Sequence, residues 1–361
     1  MRPGQFLPGT GRLRVAPLQT PSLSSFSQRL KEHENFGGNP GALRMFAYVP
    51  SSMRPGAPLV VILHGCGQTA ADYDKGTGWT DLADQLGFAI LAPEQDRSNN
   101  INGCFNWFQV GDTARGHGEA ASIHSMIEWM IEHHPVSRSQ VFITGLSAGG
   151  AMTAAMLAAY PDVFAGGAII AGLPLGAASN VPEALNVMRH APAKSARQWG
   201  DKVRGASSHE GAWPIISVWH GDADATVHVS NGEASVSQWA DVLGLELSAA
   251  TTERFGDHRR TAWRGRDGKV VLEAFGLSTM GHGAPVGGAL QQRYGGPGAY
   301  FIDIGISSTA HIAAFWGFAI KPVNNIGEAP AVPGAQSWKT LPKNITSTIA
   351  AALKSAGLLK S

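Results

Sequence analysis

The segment Val141-Phe142-Ile143-Thr144-Gly145-Leu146-Ser147-Ala148-Gly149-Gly150 constrains this chain more than any other. A β-prone apolar run enters Gly-x-Ser-x-Gly and a helical pattern follows, which is the sequence form of a nucleophile elbow. Glycines on both sides of the serine permit a sharp strand-to-helix turn and close packing of the two elements. Such a turn lifts the serine hydroxyl to the carboxyl edge of a sheet, where open α/β folds bind ligands. Helix N-terminal amides behind the serine favour developing negative charge there.

The rest of the chain supplies strands and helices to match. Leu59-Val60-Val61-Ile62-Leu63 is a continuous apolar run, as expected of a parallel strand buried on both faces. Further strands are expected over 43–48, over Phe88–Leu91 ending at Pro93, and over 166–171 and 214–219. Residues 252–275 read as two strands joined at Arg266-Asp267-Gly268. Helices are expected over 79–86, 118–133, 148–159, 236–243 and 309–318. In the second of these, Ile123, Met126, Ile127, Met130 and Ile131 share one face. This alternation argues for a mostly parallel central sheet with helices on both faces.

The catalytic unit is expected over 41–320, after an irregular lead-in at 1–40 and before an appendage at 321–361 with a helical pattern from Thr346 to Leu359. That last segment reads as a docked helix before a polymer- or lipid-contacting one. Residues 173–213 form either a cap or an extended crossover.

A serine hydroxyl needs an acid, a base and an oxyanion hole, and in this fold order the acid precedes the base. The strand over 216–219 leads into His220-Gly221-Asp222-Ala223-Asp224, an acidic turn at a strand end. Asp224 is the candidate acid and Asp222 the rival, with a bracing role in the turn as its plain alternative. Among thirteen histidines, His282 lies between glycines in the loop after the last long strand, so it is the candidate base. His64 and His220 each precede a glycine at a strand end and are read as turn stabilisers.

One oxyanion donor would be the N–H of Ala148. The other would come from the loop His64-Gly65-Cys66-Gly67-Gln68, through the N–H of Cys66. Losing one such donor costs on the order of 3 kcal/mol in the barrier. Cys66 and Cys104 are the only cysteines. Both lie in loops that can meet at one sheet edge, so a disulfide is favoured over two free thiols. Phe105, Trp107 and Phe108 follow Cys104 and are candidates to line the substrate pocket, with core packing as the alternative for each.

Composition excludes other classes. A net charge of +1 with no basic run leaves no electrostatic footprint for nucleic acid. No apolar stretch is long enough to span a bilayer, and no signal-peptide h-region is evident at the N-terminus. Two cysteines without a histidine pair at finger spacing make no zinc site, and adjacent turn residues around Asp222 and Asp224 do not converge on a hard metal. No metal is expected. Oligomeric state is not legible in the sequence.

Leu63-His64-Gly65-Cys66-Gly67-Gln68, Ala92-Pro93-Glu94-Gln95, Cys104-Phe105-Asn106-Trp107-Phe108, the Gly145–Gly150 elbow and the His220–Asp224 turn together resemble the polyhydroxybutyrate depolymerase family of esterases, over about residues 40–320. The resemblance implies an α/β-hydrolase fold, no cofactor, and Ser147, Asp224 and His282 as the catalytic triad. It implies an ester substrate, polymeric in the polyhydroxybutyrate case, and an extracellular or periplasmic location. Feruloyl and acetylxylan esterases share the pattern and supply the alternative substrates. After His282, Gly283-Ala284-Pro285-Val286-Gly287-Gly288 departs from the family's Trp-Pro-Gly-Gly form. A prolyl oligopeptidase-type peptidase, an acyltransferase and a non-catalytic binder are the remaining alternatives. The first lacks a propeller to select peptides, and the last would be expected to have lost a triad member.

Overall fold

The computed structural model describes residues 29–288 and 294–320. The helical pattern at 346–359 lies outside the described residues, as do 1–28 of the lead-in. In chain order the elements are β1 (Lys31–His33), β2 (Arg44–Tyr48), β3 (Ala57–Leu63), α1 (Ala70–Thr77), α2 (Trp79–Leu86), β4 (Ala89–Glu94), α3 (Val110–Thr113), α4 (Gly118–His133), β5 (Val136–Leu146), α5 (Ala148–Ala159) and β6 (Gly166–Ile170). The second half contributes α6 (Val181–Arg189), α7 (Ala196–Arg204), β7 (Ile215–Gly221), α8 (Ser230–Val242), β8 (Thr251–Phe255), β9 (His258–Arg264), β10 (Val270–Leu277), β11 (Ala284–Val286), β12 (Phe301–Asp303) and α9 (Ser308–Phe315).

Ten strands form one sheet in the order β1-β2-β4-β3-β5-β6-β7-β10-β9-β8. The block from β4 to β10 is parallel, with an antiparallel pair on each flank. A second, two-stranded sheet pairs β11 with β12. β3 shows why the apolar runs are continuous. Leu59, Val61 and Leu63 enter the core on one face with Met126, Met130 and Met152, while Val60 and Ile62 enter the other with Trp79, Phe88 and Trp316. A strand with helices over both faces has no polar side to declare in its sequence.

Three expectations are corrected. The antiparallel region has three strands rather than two, because a second turn at Gly256-Asp257 precedes the expected hairpin at 266–268. β4 continues through Pro93 instead of ending there. Pro93 lies opposite Met45 of β2, past Leu91, the last residue of β4 paired with β3. The lead-in is not irregular throughout, since β1 pairs with β2.

The long crossover over 173–213 carries α6 and α7 and is held to α8. Asn231 Nδ2 donates to Val187 O at 2.8 Å, Gln238 Nε2 donates to the carbonyls of Leu175 and Trp199, and Trp199 is fully buried.

Candidate active site

Sheet order brings the site together. β3 and β5 are neighbours, with Leu63 opposite Gly145, so the loops holding Cys66 and Ser147 leave the same edge side by side. β7 and β10 are also neighbours, with Gly221 opposite Leu277, so the loops holding Asp224 and His282 do likewise.

Ser147 sits at φ 58°, ψ −116°, a left-handed conformation that a non-glycine residue adopts only when its surroundings impose it. The flanking glycines explain how. A Cβ on Gly145 would stand 2.4 Å from the carbonyl oxygen of Gly149, and one on Gly149 would stand 2.3 Å from that of Leu63. Strand and helix therefore meet backbone to backbone. Ser147 N–H is held by Ile170 O at 2.9 Å, while its side chain is partly open to solvent.

His282 Nδ1 lies 2.7 Å from Asp224 Oδ2, and His282 Nε2 lies 2.9 Å from Ser147 Oγ. A carboxylate only accepts, so Nδ1 carries the proton and Nε2 is the acceptor for the Ser147 hydroxyl. Asp224 is fully buried as a side chain. Its Oδ1 accepts from the backbone N–H groups of Thr226 and Val227, at 2.9 and 2.8 Å. Burial works to raise this carboxyl, but hydrogen bonds from His220 and His282, the charge on His282 and the Val227 amide outweigh it and hold Asp224 well below the usual range.

Asp222 has the bracing role. Its Oδ1 accepts from Thr279 N–H at 2.6 Å, tying the acidic turn to the loop that delivers His282. Gly221 allows the two loops to touch, since a Cβ there would fall 2.2 Å from Met280 O. Past His282, the Tyr300 carbonyl accepts from Ala284 N–H at 2.8 Å, and the Tyr300 ring meets the His282 imidazole edge-on at 6.0 Å. The departure from the Trp-Pro-Gly-Gly form takes structural shape here, because Ala284–Val286 becomes the buried strand β11.

Cys66 and Cys104 are disulfide-bonded, with Cα atoms 4.2 Å apart. Gly65, within the loop so pinned, would place a Cβ 3.6 Å from Ser147 Cβ. Among the described residues, neither Cys66 N–H nor Ala148 N–H donates to a protein acceptor. His64 orients the loop from beneath. Its Nε2 accepts from Gln95 N–H at 3.1 Å, so Nδ1 carries the proton and donates to Gly65 O at 2.8 Å. The Gly65–Cys66 peptide is planar, and fixing its carbonyl fixes its N–H. Burial lowers His64 to about 4, which keeps the ring neutral.

The aromatic segment divides. Phe105 is fully buried and packs its ring against His64 at 4.8 Å, so it belongs to the core and offers no surface to a ligand. This corrects its expected place in the substrate pocket: the ring is taken up by the core and by His64. Trp107 and Phe108 are half-buried and meet edge-to-face at 5.5 Å, with Trp107 packed beside Ala151 and Leu173. Beneath them Glu119 accepts from Asn106 N, Asn106 Nδ2 and Gln95 Nε2. Burial pushes this carboxyl up to about 8 against the pull of those donors. Sequence reasoning missed Glu119, because a single acid in the first turn of a helix reads as ordinary dipole complementation. No group of three or more metal-ligating side chains occurs among the described residues.

Residues 44–263 match the family described as "Esterase PHB depolymerase". The chain is 41% identical over 307 residues to a poly(3-hydroxyalkanoate) depolymerase C of Paucimonas lemoignei, covering 84% of this chain and 74% of that protein. It is 31% identical to a feruloyl esterase B of Talaromyces stipitatus, covering 72% of this chain and 74% of that protein. Among solved structures, an acetyl xylan esterase from Aspergillus awamori superposes with a TM-score of 0.68 at 25% identity, covering 80% of this chain and 99% of that one. The fold is that of the α/β-hydrolases. On the family match and these relatives, the chain belongs to the PHB depolymerase family of esterases and is a carboxylic ester hydrolase.

Proposed function

We propose that the protein is a serine esterase of the polyhydroxyalkanoate depolymerase type, with Ser147, His282 and Asp224 as its triad. The observation that carries the reading is the continuous hydrogen-bonded chain from Asp224 Oδ2 through His282 to Ser147 Oγ, beside two uncommitted backbone amides. In this reading Ser147 Oγ attacks the ester carbonyl as its proton passes to His282 Nε2. Asp224 stabilises the imidazolium and fixes its tautomer. The N–H groups of Cys66 and Ala148 receive the charge that develops on the carbonyl oxygen. His282 then gives its proton to the leaving alkoxide and the alcohol departs, leaving an acyl-enzyme. Water, deprotonated by His282, attacks the acyl carbon, and the collapse of that intermediate releases the acid and restores Ser147.

Polymeric hydroxyalkanoate as substrate is supported by the relative from Paucimonas lemoignei. An ester of plant polysaccharide is the second reading, supported by the nearly complete coverage of the acetyl xylan esterase chain. Trp107, Phe108 and Tyr300 are the aromatic groups placed to shape the choice. The disulfide supports an oxidising compartment, outside the cell or periplasmic. Among the described residues no helix is long and apolar enough to cross a membrane.

Ser147→Ala should abolish hydrolysis of short p-nitrophenyl esters while leaving the circular dichroism spectrum and melting temperature near wild type. Turnover retained in that variant overturns the mechanism. Relative rates on polyhydroxybutyrate film, feruloylated xylan and acetylated xylan then decide the substrate class.

A further inference from the structure

Beside His220 lies a cavity of about 490 Å³, between α8 and the sheet face formed by β7, β10, β9 and β8. Val218, Val236 and Trp263 form an apolar floor and walls, and Leu247 stands at the margin, 45% exposed. An exposed leucine beside an apolar hollow marks surface suited to an apolar ligand.

The charged lining is unusual. Arg254 and Arg259 are direct cross-strand partners on β8 and β9. Like charges placed opposite each other in a sheet repel. Among the described residues neither guanidinium is in an ion pair with a carboxylate. The neighbouring Arg260, by contrast, is paired with both Glu253 and Glu273. Arg259 reaches over the sheet because position 276 is glycine, where a Cβ would meet Arg259 Nε at 2.7 Å. Glu233 on α8 is the single acidic lining residue, so the cavity carries net positive charge.

His220 is the wall shared with the active site. Its Nε2 lies 2.8 Å from Val227 O, which can only accept, so Nε2 carries the proton. Its Nδ1 is buried and has no hydrogen-bond partner among the described residues. The same Nε2 lies 3.5 Å from Asp224 Oδ2.

We propose that this cavity, whose lining includes none of Ser147, Asp224 and His282, is a binding site for an aliphatic carboxylate. The two guanidiniums receive the carboxylate as a fork, and the Val218–Trp263 surface receives the chain. Ester hydrolysis releases an acid of this class, so the ligand chemistry is that of the protein's own product. Binding itself does not depend on the triad assignment.

The test uses hexanoate and calorimetry on protein whose Ser147 has been blocked by a phosphonate ester. Failure of the block would count against Ser147 as nucleophile and leave the cavity to be tested on Ser147→Ala. Hexanoate should still bind to the blocked protein, and hexanol should bind at least 10-fold more weakly. Arg254→Gln with Arg259→Gln should weaken hexanoate at least 10-fold while p-nitrophenyl acetate turnover stays at the wild-type rate. Glu233→Gln should tighten it. No binding to the blocked protein, equal binding of hexanol, or unchanged affinity in the double-arginine variant would each overturn the assignment.

Discussion

Gln95 donates its backbone N–H to Nε2 of His64, and this one bond decides which way the loop beside Ser147 faces. With Nε2 occupied, the His64 proton resides on Nδ1 and holds the Gly65 carbonyl, so the Cys66 amide is turned to the other side of the same peptide plane. The end of β4 thereby sets the geometry of the loop after β3. His64 is a positioning residue, since nothing in the proposed reaction passes through its own atoms.

On the proposed mechanism, His64→Ala should lower kcat by roughly 10- to 100-fold with KM little changed, because the Cys66 amide would be misaligned rather than removed and full removal of an oxyanion donor is worth about 3 kcal/mol. Steady-state kinetics on p-nitrophenyl butyrate, with the disulfide verified by mass spectrometry, would check it. A change confined to KM would contradict the assignment.

The same residue shapes the response to acid. His64 titrates near 4 when folded, against an ordinary value near 6.5 in the unfolded chain. The unfolded state takes up the proton first. The contribution of neutral His64 is thus complete above about pH 6.5 and declines as pH falls from there toward 4. The slope is at most about 1.4 kcal/mol per pH unit. Urea midpoints for wild type and His64→Asn, taken from pH 7 to pH 4, should converge as the pH is lowered; a constant difference would count against it.

Reduction of the Cys66–Cys104 bond should act on stability and on activity together. The bond closes a separation of 38 residues, worth about 4 kcal/mol on the chain-entropy account. It also ties the Cys66 loop to the segment bearing Trp107 and Phe108. Cys104→Ser should lower the melting temperature by several degrees and reduce kcat even at temperatures where the variant remains folded, as read by calorimetry and kinetics in parallel.

Asp224 and Asp222 should separate cleanly. Asp224→Asn leaves a similar shape but presents an amide that can hold His282 in the wrong tautomer, and a loss of about 10⁴ in kcat is the expected scale. Asp222→Asn disturbs only the acceptor for Thr279 N–H, so its loss should stay within about 10-fold. Equal losses would mean that the two acids act as one unit.

Much of this was written locally in the chain. The serine between Gly145 and Gly149 could be read directly because strained turns need particular residue types at particular spacings. The buried strand Leu59–Leu63 and the helix at Gly118–His133 declared themselves through periodicity, which is also a local property. The chain order of acid before base pointed to the His220–Asp224 turn, with Asp224 as the candidate and Asp222 as its rival, and to His282.

Contacts between distant residues were settled by the tertiary structure alone. His282 meets Ser147 across 135 positions and Asp224 across 58, and only sheet order brings those loops together. The difference between Asp222 and Asp224, two residues apart, is the direction each side chain takes from a turn folded against Met280 and Thr279. Phe105 is core while Trp107 is half-buried, a difference in burial that the sequence Cys104–Phe108 does not show. The cross-strand pairing of Arg254 with Arg259 had no signature in the sequence. Sequence spacing determined which chemistry this chain can carry; the packing of β3 on β5 and of β7 on β10 decided which side chains meet.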